Sequence, residues 1–498
     1  MNCFLLSLIA LAPQATTIDI ATNRIRSAVQ YSKIANLKQD VIVSGTADAF
    51  GLPATFSLRV GAGGLYLFEL KSPLGRKVGY DGSRYWEADR TGATRVLAFG
   101  EADSLAVQRG LLSNQWLMNQ AGTVSMAGDG KTINLKLNGS EIEQKIELDP
   151  ASSLPSKSVY ESSAGKVEVL LGDWRETAAG KLPFKVTWRE GGVEQSVRGT
   201  KVSTVPASPS AFAMPLWAAR DTRFESKMPA VIETKRIPSG HILVKPLIQG
   251  KDAGWFILDS GAEAMCIDKG IADELGLPKL GEVPAVGVGG VVKVPFRSVK
   301  QFSLGPVSID KLMFVELDLA QISKVINLKL GGIIGYDLFR RSVVELDVKK
   351  PSVSIFEPST YSAGSTKWLP IQFEGGNIGV EAAFEGNRKG WFRLDTGAGG
   401  TVSFHGPFVE KYKLLEGREL TKVMEGGVGG MQEARRGKLE YFELAGHRFE
   451  KPTVTFSISK SGAFHNHWLI GNIGQGFIDP FVLTFDYANS RMAFTPRS

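Results

Sequence analysis

Two near-identical stretches of the sequence each place one aspartate behind an apolar run. The first is GWFILDSGAEA at 254–264, which contains Asp259, and the second is GWFRLDTGAGG at 390–400, which contains Asp395. Two carboxyl groups held about 3 Å apart cannot both ionise, and they therefore share a proton. One of them can then accept a proton from water while the other protonates a peptide carbonyl. The pair predicts an Asp dyad that hydrolyses peptide bonds.

The residues next to each aspartate fit such a dyad. The hydroxyls of Ser260 and Thr396 can bond to the backbone of the opposite loop, and Gly261 and Gly397 let backbone N–H groups approach the carboxylates. Two glycine-rich stretches further along are predicted to be the tips of β-hairpins, or flaps, that fold over a bound peptide. The flap residues are Gly287, Val288, Gly289 and Gly290 in the first stretch, and Gly427, Val428, Gly429 and Gly430 in the second.

The order of features after each aspartate is the same, which indicates an internal duplication. An apolar-apolar-Gly element ends at Gly335, 76 residues after Asp259, and another ends at Gly471, 76 residues after Asp395. A pair of strand-like segments then closes each half. The sequence therefore predicts two copies of one β-domain, at 236–358 and 368–498, joined by a short linker at 359–367.

The two halves together resemble the aspartic peptidases, through LDSGA and LDTGA and the elements IIG and LIG. The D-[ST]-G-A form with a glycine-rich flap is similar to the retropepsin-like branch, and the tandem layout is similar to pepsin. Bacterial exported aspartyl protease family proteins are the most similar. The resemblance implies a bilobal pair of acid-protease β-barrels with Asp259 and Asp395 as the dyad and no cofactor or metal. It also implies a ψ-loop in each lobe, formed by Ile334 and Gly335 and by Ile470 and Gly471.

The sequence departs from that family at several points. Neither flap has a nearby tyrosine, and the disulfides of secreted pepsins are missing. Glu263 places an unexpected charge close to the first aspartate, and we expect its side chain to point away from the dyad. Cys266 is expected to be a small buried apolar residue. His465 and His467 could ligate a metal if they lay on a strand, but a solvent-facing loop is expected because no acidic partner is near.

Residues 17–203 alternate between apolar and polar positions with Asp-Gly and similar turn signals, which predicts a large antiparallel sheet with one or two helices. YLFELKSPLGRKVGYDGSRYWEADRTG and GKLPFKV make this region similar to the LolA/LolB-type lipoprotein carriers. That resemblance implies a half-barrel and a lipid or lipoprotein as a partner of this domain. Residues 204–235 are rich in small residues and proline, and are predicted to be a linker or strap between domains.

Composition excludes some classes of function. The chain has 498 residues, of which 43% are hydrophobic and 22% charged, so it can form several cores. A net charge of +7 from scattered basic residues does not predict nucleic-acid binding. The apolar segment within residues 1–15 resembles a signal peptide, which predicts export to the periplasm or the medium, and no segment is apolar enough to be a transmembrane anchor. With both lobes in one chain, a monomer is expected.

These observations together predict a mostly β, exported aspartic endopeptidase acting on peptides or proteins. Three alternatives remain. The two aspartates could be turn residues of a duplicated barrel, or they could form an intact dyad without an open cleft. The chain could also be a lipid- or lipopeptide-binding envelope protein whose protease-like lobes are inactive. The glycine-rich stretches lack the lysine and the strand–loop–helix setting of phosphate-binding loops.

Overall fold

The computed structural model describes residues 17–117, 122–127, 129–162, 165–287, 290–362, 364, 366–427 and 430–497. The predicted signal segment and the flap residues Val288, Gly289, Val428 and Gly429 lie outside the described residues. The chain is mostly β, as predicted, and its strands form four sheets of 13, 11, 10 and 6 strands among the described residues.

The N-terminal sheet contains thirteen antiparallel strands. They are β1 (Gln39–Ala49), β2 (Leu52–Val60), β3 (Tyr66–Lys71), β4 (Arg76–Tyr80), β5 (Tyr85–Asp89), β6 (Thr94–Val96), β7 (Gly122–Met126), β8 (Thr132–Leu137), β9 (Glu143–Leu148), β10 (Pro155–Ser162), β11 (Gly165–Thr177), β12 (Gly180–Glu190) and β13 (Val193–Pro206). The helices are α1 (Thr17–Ala28), α2 (Tyr31–Ala35) and α3 (Phe99–Ser113). Neighbours in sequence pair except β6 and β7, which are the two edge strands, and β1 also pairs with β13.

Local sequence explains the turns of this sheet. Asp81 stands between β4 and β5, where its carboxylate accepts hydrogen bonds from the backbone N–H groups of Ser83 and Arg84 at 3.0 and 2.9 Å. Gly82 has a φ of 101°, which only glycine adopts readily. The apolar residues of α3, including Leu105 and Leu111, pack into the same core as the inward-facing residues of the strands. One face of the sheet is thereby closed by a helix.

Residues 204–358 continue with a strap and the first half of the predicted duplication. The strands are β14 (Thr222–Phe224), β15 (Val231–Ile232), β16 (Thr234–Arg236), β17 (Ile242–Val244), β18 (Leu247–Ile248), β19 (Lys251–Asp252), β20 (Trp255–Leu258), β21 (Cys266–Asp268), β22 (Lys279–Gly287), β23 (Gly290–Leu304), β24 (Val307–Leu317), β25 (Leu330–Ile334), β26 (Val343–Asp347) and β27 (Ser352–Phe356). The helices are α4 (Lys269–Glu274), α5 (Ala320–Val325) and α6 (Tyr336–Phe339). Strands β14 and β16–β25 form the first Asp sheet.

The second half also consists of strands and short helices, but its described residues form two short α-helices where the first half has three. Its strands are β28 (Trp368–Pro370), β29 (Gln372–Glu374), β30 (Asn377–Phe384), β31 (Arg388–Leu394), β32 (Val402–Phe404), β33 (Thr421–Gly427), β34 (Gly430–Lys438), β35 (Tyr441–Leu444), β36 (His447–Glu450), β37 (Thr453–Ser457), β38 (Gly471–Ile473), β39 (Phe481–Asp486) and β40 (Arg491–Pro496). The helices are α7 (Gly406–Lys411) and α8 (Gln475–Ile478). Strands β29–β38 form the second Asp sheet.

A six-stranded bridging sheet joins the two halves. Its order is β15-β27-β26-β39-β40-β28, and the central pair, β26 with β39, brings together one strand from each half. The apolar core under this sheet is continuous from Phe256 in the first half to Phe392 in the second. The two Asp sheets are therefore held in one orientation by a shared sheet and a shared core.

The segment predicted as a linker or strap is bound along its length. Phe212 is fully buried, and its carbonyl accepts a hydrogen bond of 2.9 Å from the Trp86 indole of the N-terminal sheet. Further along, β14 pairs with β24 of the first Asp sheet. The buried guanidinium of Arg341 bonds to Asp221 of the strap at 2.8 and 3.0 Å and to the Asp337 side chain at 3.1 Å. The strap thus ties the N-terminal sheet to the first half.

Candidate active site

Each of the two aspartates follows a strand that is paired in parallel with another strand of its own half. Strand β20 pairs with β25, and the Asp259 N–H donates to the Ile334 carbonyl at 2.9 Å. Strand β31 pairs with β38, and the Asp395 N–H donates to the Ile473 carbonyl at 2.9 Å. The apolar residues Phe256 and Leu258, and their counterparts in β31, anchor these strands in the core. Each aspartate therefore stands directly after the end of a buried strand that has a parallel partner.

The loops that carry the aspartates interlock through two hydroxyl groups. Thr396 Oγ1 accepts a hydrogen bond from the Ser260 N–H at 2.9 Å and donates to the Leu258 carbonyl at 3.0 Å. Ser260 Oγ, in turn, accepts from the Thr396 N–H at 3.1 Å and donates to the Leu394 carbonyl at 2.8 Å. Each hydroxyl thus satisfies one donor and one acceptor of the opposite half, in a buried region where neither could bond to water. Both hydroxyls therefore bond to the backbone of the opposite loop.

The same interlock brings the two carboxyl groups together. Gly261 N–H donates to Asp259 Oδ1 at 2.7 Å, and Gly397 N–H donates to Asp395 Oδ1 at 2.8 Å. A Cβ atom added to Gly261 would lie 2.4 Å from Cγ of Asp395, and one added to Gly397 would lie 2.4 Å from Cγ of Asp259. Each carboxyl group therefore packs against the glycine of the opposite loop, which leaves room for no other residue there.

The surroundings of the pair favour one proton between the two carboxyl groups. Burial raises the pKa of Asp259 well above its usual value, and the adjacent negative charge of Asp395 raises it further. The N–H of Gly261 opposes this shift because it stabilises the ionised form. An acid with a raised pKa beside a second carboxylate is the arrangement that acid–base hydrolysis requires.

The two carboxyl groups differ in one neighbour that the sequence had not singled out. Asn472 Nδ2 donates to Asp395 Oδ2 at 2.7 Å, which stabilises negative charge on Asp395. The corresponding residue of the first half is Ile333, which has no donor to offer Asp259. The sequence shows this replacement of isoleucine by asparagine when GIIG at 332–335 is aligned with GNIG at 471–474.

Comparison with protein-family models identifies part of this region. Residues 244–338 match the aspartyl protease family. The matched segment contains Asp259, its interlocking loop, the first hairpin and the parallel strand β25, and it ends before the second half begins. This match supports an aspartyl protease domain in the first half. No curated protein matches the chain.

One predicted element of the second half lies elsewhere than expected. In the first half, Gly335 packs against Ala262. In the second half, the glycine that packs against the corresponding residue, Ala398, is Gly474 and not Gly471. Ile473 and Gly474 therefore correspond to Ile334 and Gly335. The pair predicted from the sequence, Ile470 and Gly471, lies three residues too early. LIG has the apolar-apolar-Gly pattern of IIG and the same spacing from its aspartate, whereas the element at the corresponding position, NIG, begins with a polar residue.

The two glycine-rich stretches are hairpins, with the pairs Gly287–Gly290 and Gly427–Gly430 closest to their tips. We call β22–β23 the first hairpin and β33–β34 the second hairpin. The first hairpin is held at its base by the N-terminal unit, since Glu282 N–H donates to the Phe50 carbonyl at 3.0 Å and the Phe50 ring packs on Phe296. The second hairpin exposes Met424 and Met431.

Glu263 lies between the two halves rather than on the dyad. Its carboxylate accepts a hydrogen bond of 2.7 Å from Asn377 Nδ2 and lies against the turn at Gly375 and Gly376. The side chain keeps a solvent-accessible face, yet the surrounding protein raises its pKa by desolvation, and Arg393 partly offsets this shift. This position fits the expectation that Glu263 does not point at the dyad.

The described residues contain no group of three or more His, Cys, Asp or Glu side chains placed to hold a metal ion. His465 and His467 pack ring against ring at 4.9 Å, and His465 Nδ1 bonds to the Ser459 carbonyl at 3.1 Å. Cys266 is half-buried, and burial raises the pKa of its thiol to about 12. Among the helices of residues 17–497 that are described, none is long and apolar enough to cross a membrane.

Proposed function

We propose that the chain is an aspartic endopeptidase in which Asp259 and Asp395 activate a water molecule for attack on a peptide bond. The observation that carries the proposal is the reciprocal bonding of Ser260 and Thr396, which fixes the two aspartate loops face to face. Turn residues that only cap loops would not require four hydrogen bonds between the halves. The aspartyl protease match around Asp259 agrees with this function.

The geometry suggests a division of labour within the dyad. Asp395 receives hydrogen bonds from Gly397 and Asn472 and is suited to be the ionised base that takes a proton from water. Asp259, whose pKa is raised, is suited to donate its proton to the carbonyl oxygen as the water oxygen bonds to the carbonyl carbon. Asp395 then gives the proton to the leaving amine nitrogen, and Asp259 recovers its own as the carboxylic acid product forms.

The proposal extends to the other parts of the chain. Residues 236–358 and 368–498 are taken as two copies of one protease lobe, and the hairpins as flaps over a peptide or protein substrate. Residues 17–203 are taken as a LolA-like unit that offers a surface to a lipid or lipoprotein. Export of a monomeric enzyme remains part of the proposal, supported by the sequence of residues 1–15 alone.

Cleavage of casein and of a mixed peptide library, from acid to neutral pH, tests the activity. Asp259→Asn and Asp395→Asn keep the side-chain shape but cannot exchange a proton, so each should lower the rate by about 10²–10⁴-fold. Asp318→Asn is the matched control, because Asp318 is exposed and only caps the Ala320 N–H. If wild type and Asp259→Asn cleave alike, or neither cleaves, the proposal is wrong. Acyl chains that co-purify with an inactive wild type would then favour the lipid-binding alternative.

The pH profile of kcat/KM gives a second test. Since Asp259 must hold a proton to act as the acid, activity should fall as pH rises through its raised pKa. The alkaline limit should therefore lie well above the usual range of an aspartate. A profile that declines already near pH 4, as an ordinary carboxyl group with a pKa of about 3.9 would give, would contradict the assigned role.

A further inference from the structure

The two faces that flank the dyad beneath the hairpins are built from the same strands but from opposite kinds of residue. We define the first wall as Ile257, Cys266, Phe296, Val315 and Ile333. We define the second wall as Arg393, Ser403, Arg436, Thr455 and Asn472. The first wall belongs to an apolar cluster, whereas every residue of the second wall is polar or charged.

Strand pairing shows that the walls correspond position by position. Ile333 stands opposite Ile257 and Cys266, and Asn472 stands opposite Arg393 and Ser403. The remaining partners follow the same pattern. Cys266 pairs with Val315 and Val315 with Phe296, while Ser403 pairs with Thr455 and Thr455 with Arg436.

The difference continues onto the hairpins. In the second hairpin, the polar residues Glu425 and Gln432 face each other across the strands, two positions before the last described pair. The same position in the first hairpin is occupied by the apolar pair Ala285 and Val292. Ser403 Oγ donates to Glu425 Oε1, so the second hairpin and the second wall touch. Asn472 connects the same face to Asp395. The polar surface therefore extends from the dyad to the underside of the second hairpin.

Several polar atoms of this surface are buried without a partner. They are three acceptors, Glu425 Oε2, Gln432 Oε1 and Asn472 Oδ1, and one donor, Arg393 Nε. A buried acceptor that lacks a donor costs about 1–3 kcal/mol, so unpaired groups in a native structure require an explanation. A ligand that supplies several N–H donors would satisfy the excess of acceptors.

The charges on this surface have both signs, and the buried carboxylate of Glu425 is the one that favours a cationic ligand. Glu425 and Asp395 contribute negative charge, and burial raises the pKa of Glu425, a shift that a bound cation would oppose. Two cations are present as well. Arg393 lies close enough to Glu263 to lower the pKa of that carboxyl group, and the exposed Arg436 lies close enough to Glu425 to offset part of the rise in its pKa. Glu425 thus retains an unpaired oxygen for a positive group brought by the substrate.

We propose that the second wall binds a lysine or arginine side chain of the peptide on one side of the scissile bond, while the first wall binds an apolar side chain on the other side. This inference rests on the proposed peptidase function. Lysine and arginine carry donors and no acceptor, which matches the three unpaired acceptors. An apolar side chain matches the first wall because burial of apolar area is favourable there. The enzyme would then cleave junctions between an apolar and a basic residue.

Peptides that differ only at the two residues flanking the scissile bond test the inference. Wild type should show kcat/KM at least tenfold higher for an apolar–basic pair, in one of its two orders, than for apolar–apolar or apolar–acidic pairs. Glu425→Gln should lower that preference about tenfold, and Gln432→Leu should lower it less. Glu433→Gln is the matched control, since Glu433 lies on the same hairpin but bonds to Arg435. It should leave the preference unchanged.

A preference for acidic or apolar residues at both positions would overturn the inference, as would an unchanged preference in Glu425→Gln. Binding of the same peptides to full-length protein, measured by fluorescence polarisation, separates this inference from the proposed function. If no peptide is cleaved, the peptidase proposal fails, and equal binding of basic and acidic peptides then refutes the second wall as a cation site. Stronger binding of the basic peptides that depends on Glu425 would support the site without the activity.

Discussion

Replacement of Thr396 by valine should loosen the contact between the two aspartate loops at little change in volume. The Thr396 hydroxyl is fully buried and pairs with the Ser260 N–H and the Leu258 carbonyl. Valine would leave both groups buried and unpaired, at about 1–3 kcal/mol each. We therefore expect Thr396→Val to lower the free energy of unfolding by about 2–6 kcal/mol, a large share of the 5–15 kcal/mol that is typical of native proteins.

Urea unfolding followed by tryptophan fluorescence measures this change, with Thr396→Ser as the control. Serine keeps the hydroxyl and loses only one methyl group, worth about 1 kcal/mol. Peptide cleavage under conditions where the valine variant is fully folded should also fall, since the carboxyl groups would no longer be held face to face. A valine variant as stable and active as the serine variant would refute the claim that this hydroxyl joins the two halves.

Four further predictions follow from the same geometry. Gly397→Ala places a methyl group 2.4 Å from Asp259 Cγ, so it should abolish activity while leaving the circular dichroism spectrum native. Arg341→Met removes two hydrogen bonds from the buried Asp221 carboxylate and leaves Arg90, at 3.4 Å, as its remaining cationic partner, so it should lower the free energy of unfolding by about 3 kcal/mol in urea titrations. Asp259→Asn removes a group whose pKa folding raises, so the variant should gain stability over wild type as pH rises from about 4 through that raised pKa, and show the smallest gain near pH 3. Phe50→Ala should speed hydrogen exchange in the first hairpin without affecting the second.

The local contacts of the two aspartate loops could be read from the sequence because each loop is a short contiguous segment. DSGA and DTGA place a carboxyl group, a hydroxyl and a glycine next to each other, so local spacing alone predicts which atoms can meet. The hairpins were predictable for the same reason, since glycine pairs mark turns between alternating strands. The mostly β architecture was predictable from the alternation of apolar and polar residues along each strand, because this pattern does not depend on which element a sheet packs against.

Long-range register could not be predicted in the same way. Ile470–Gly471 has the pattern and spacing expected of the parallel partner of β31, yet the strand pairs three residues later. The register of β31 with β38, the hydrogen bond from Asp395 N–H to the Ile473 carbonyl and the contact of Gly474 with Ala398 distinguish the two choices, and a sequence displays none of them. Asn472 was missed because its function depends on that register. The bond of Arg341 to Asp221 spans 120 positions and is equally invisible in local patterns.

Under the proposed function, the differences between the halves follow from the requirements of a single active site. Two identical loops can supply two carboxyl groups. In identical surroundings, however, the shared proton would bind equally well to either of them. Asn472 beside Asp395 and Ile333 at the equivalent position break that equivalence, because the amide stabilises charge on one carboxyl group only. The same substitution of polar for apolar residues runs through the second wall, so unequal protonation and unequal recognition of the two sides of a substrate have a common origin. Asn472→Ile should then reduce both the cleavage rate and the preference for basic residues, whereas Asp318→Asn, at an exposed residue outside both walls, should reduce neither.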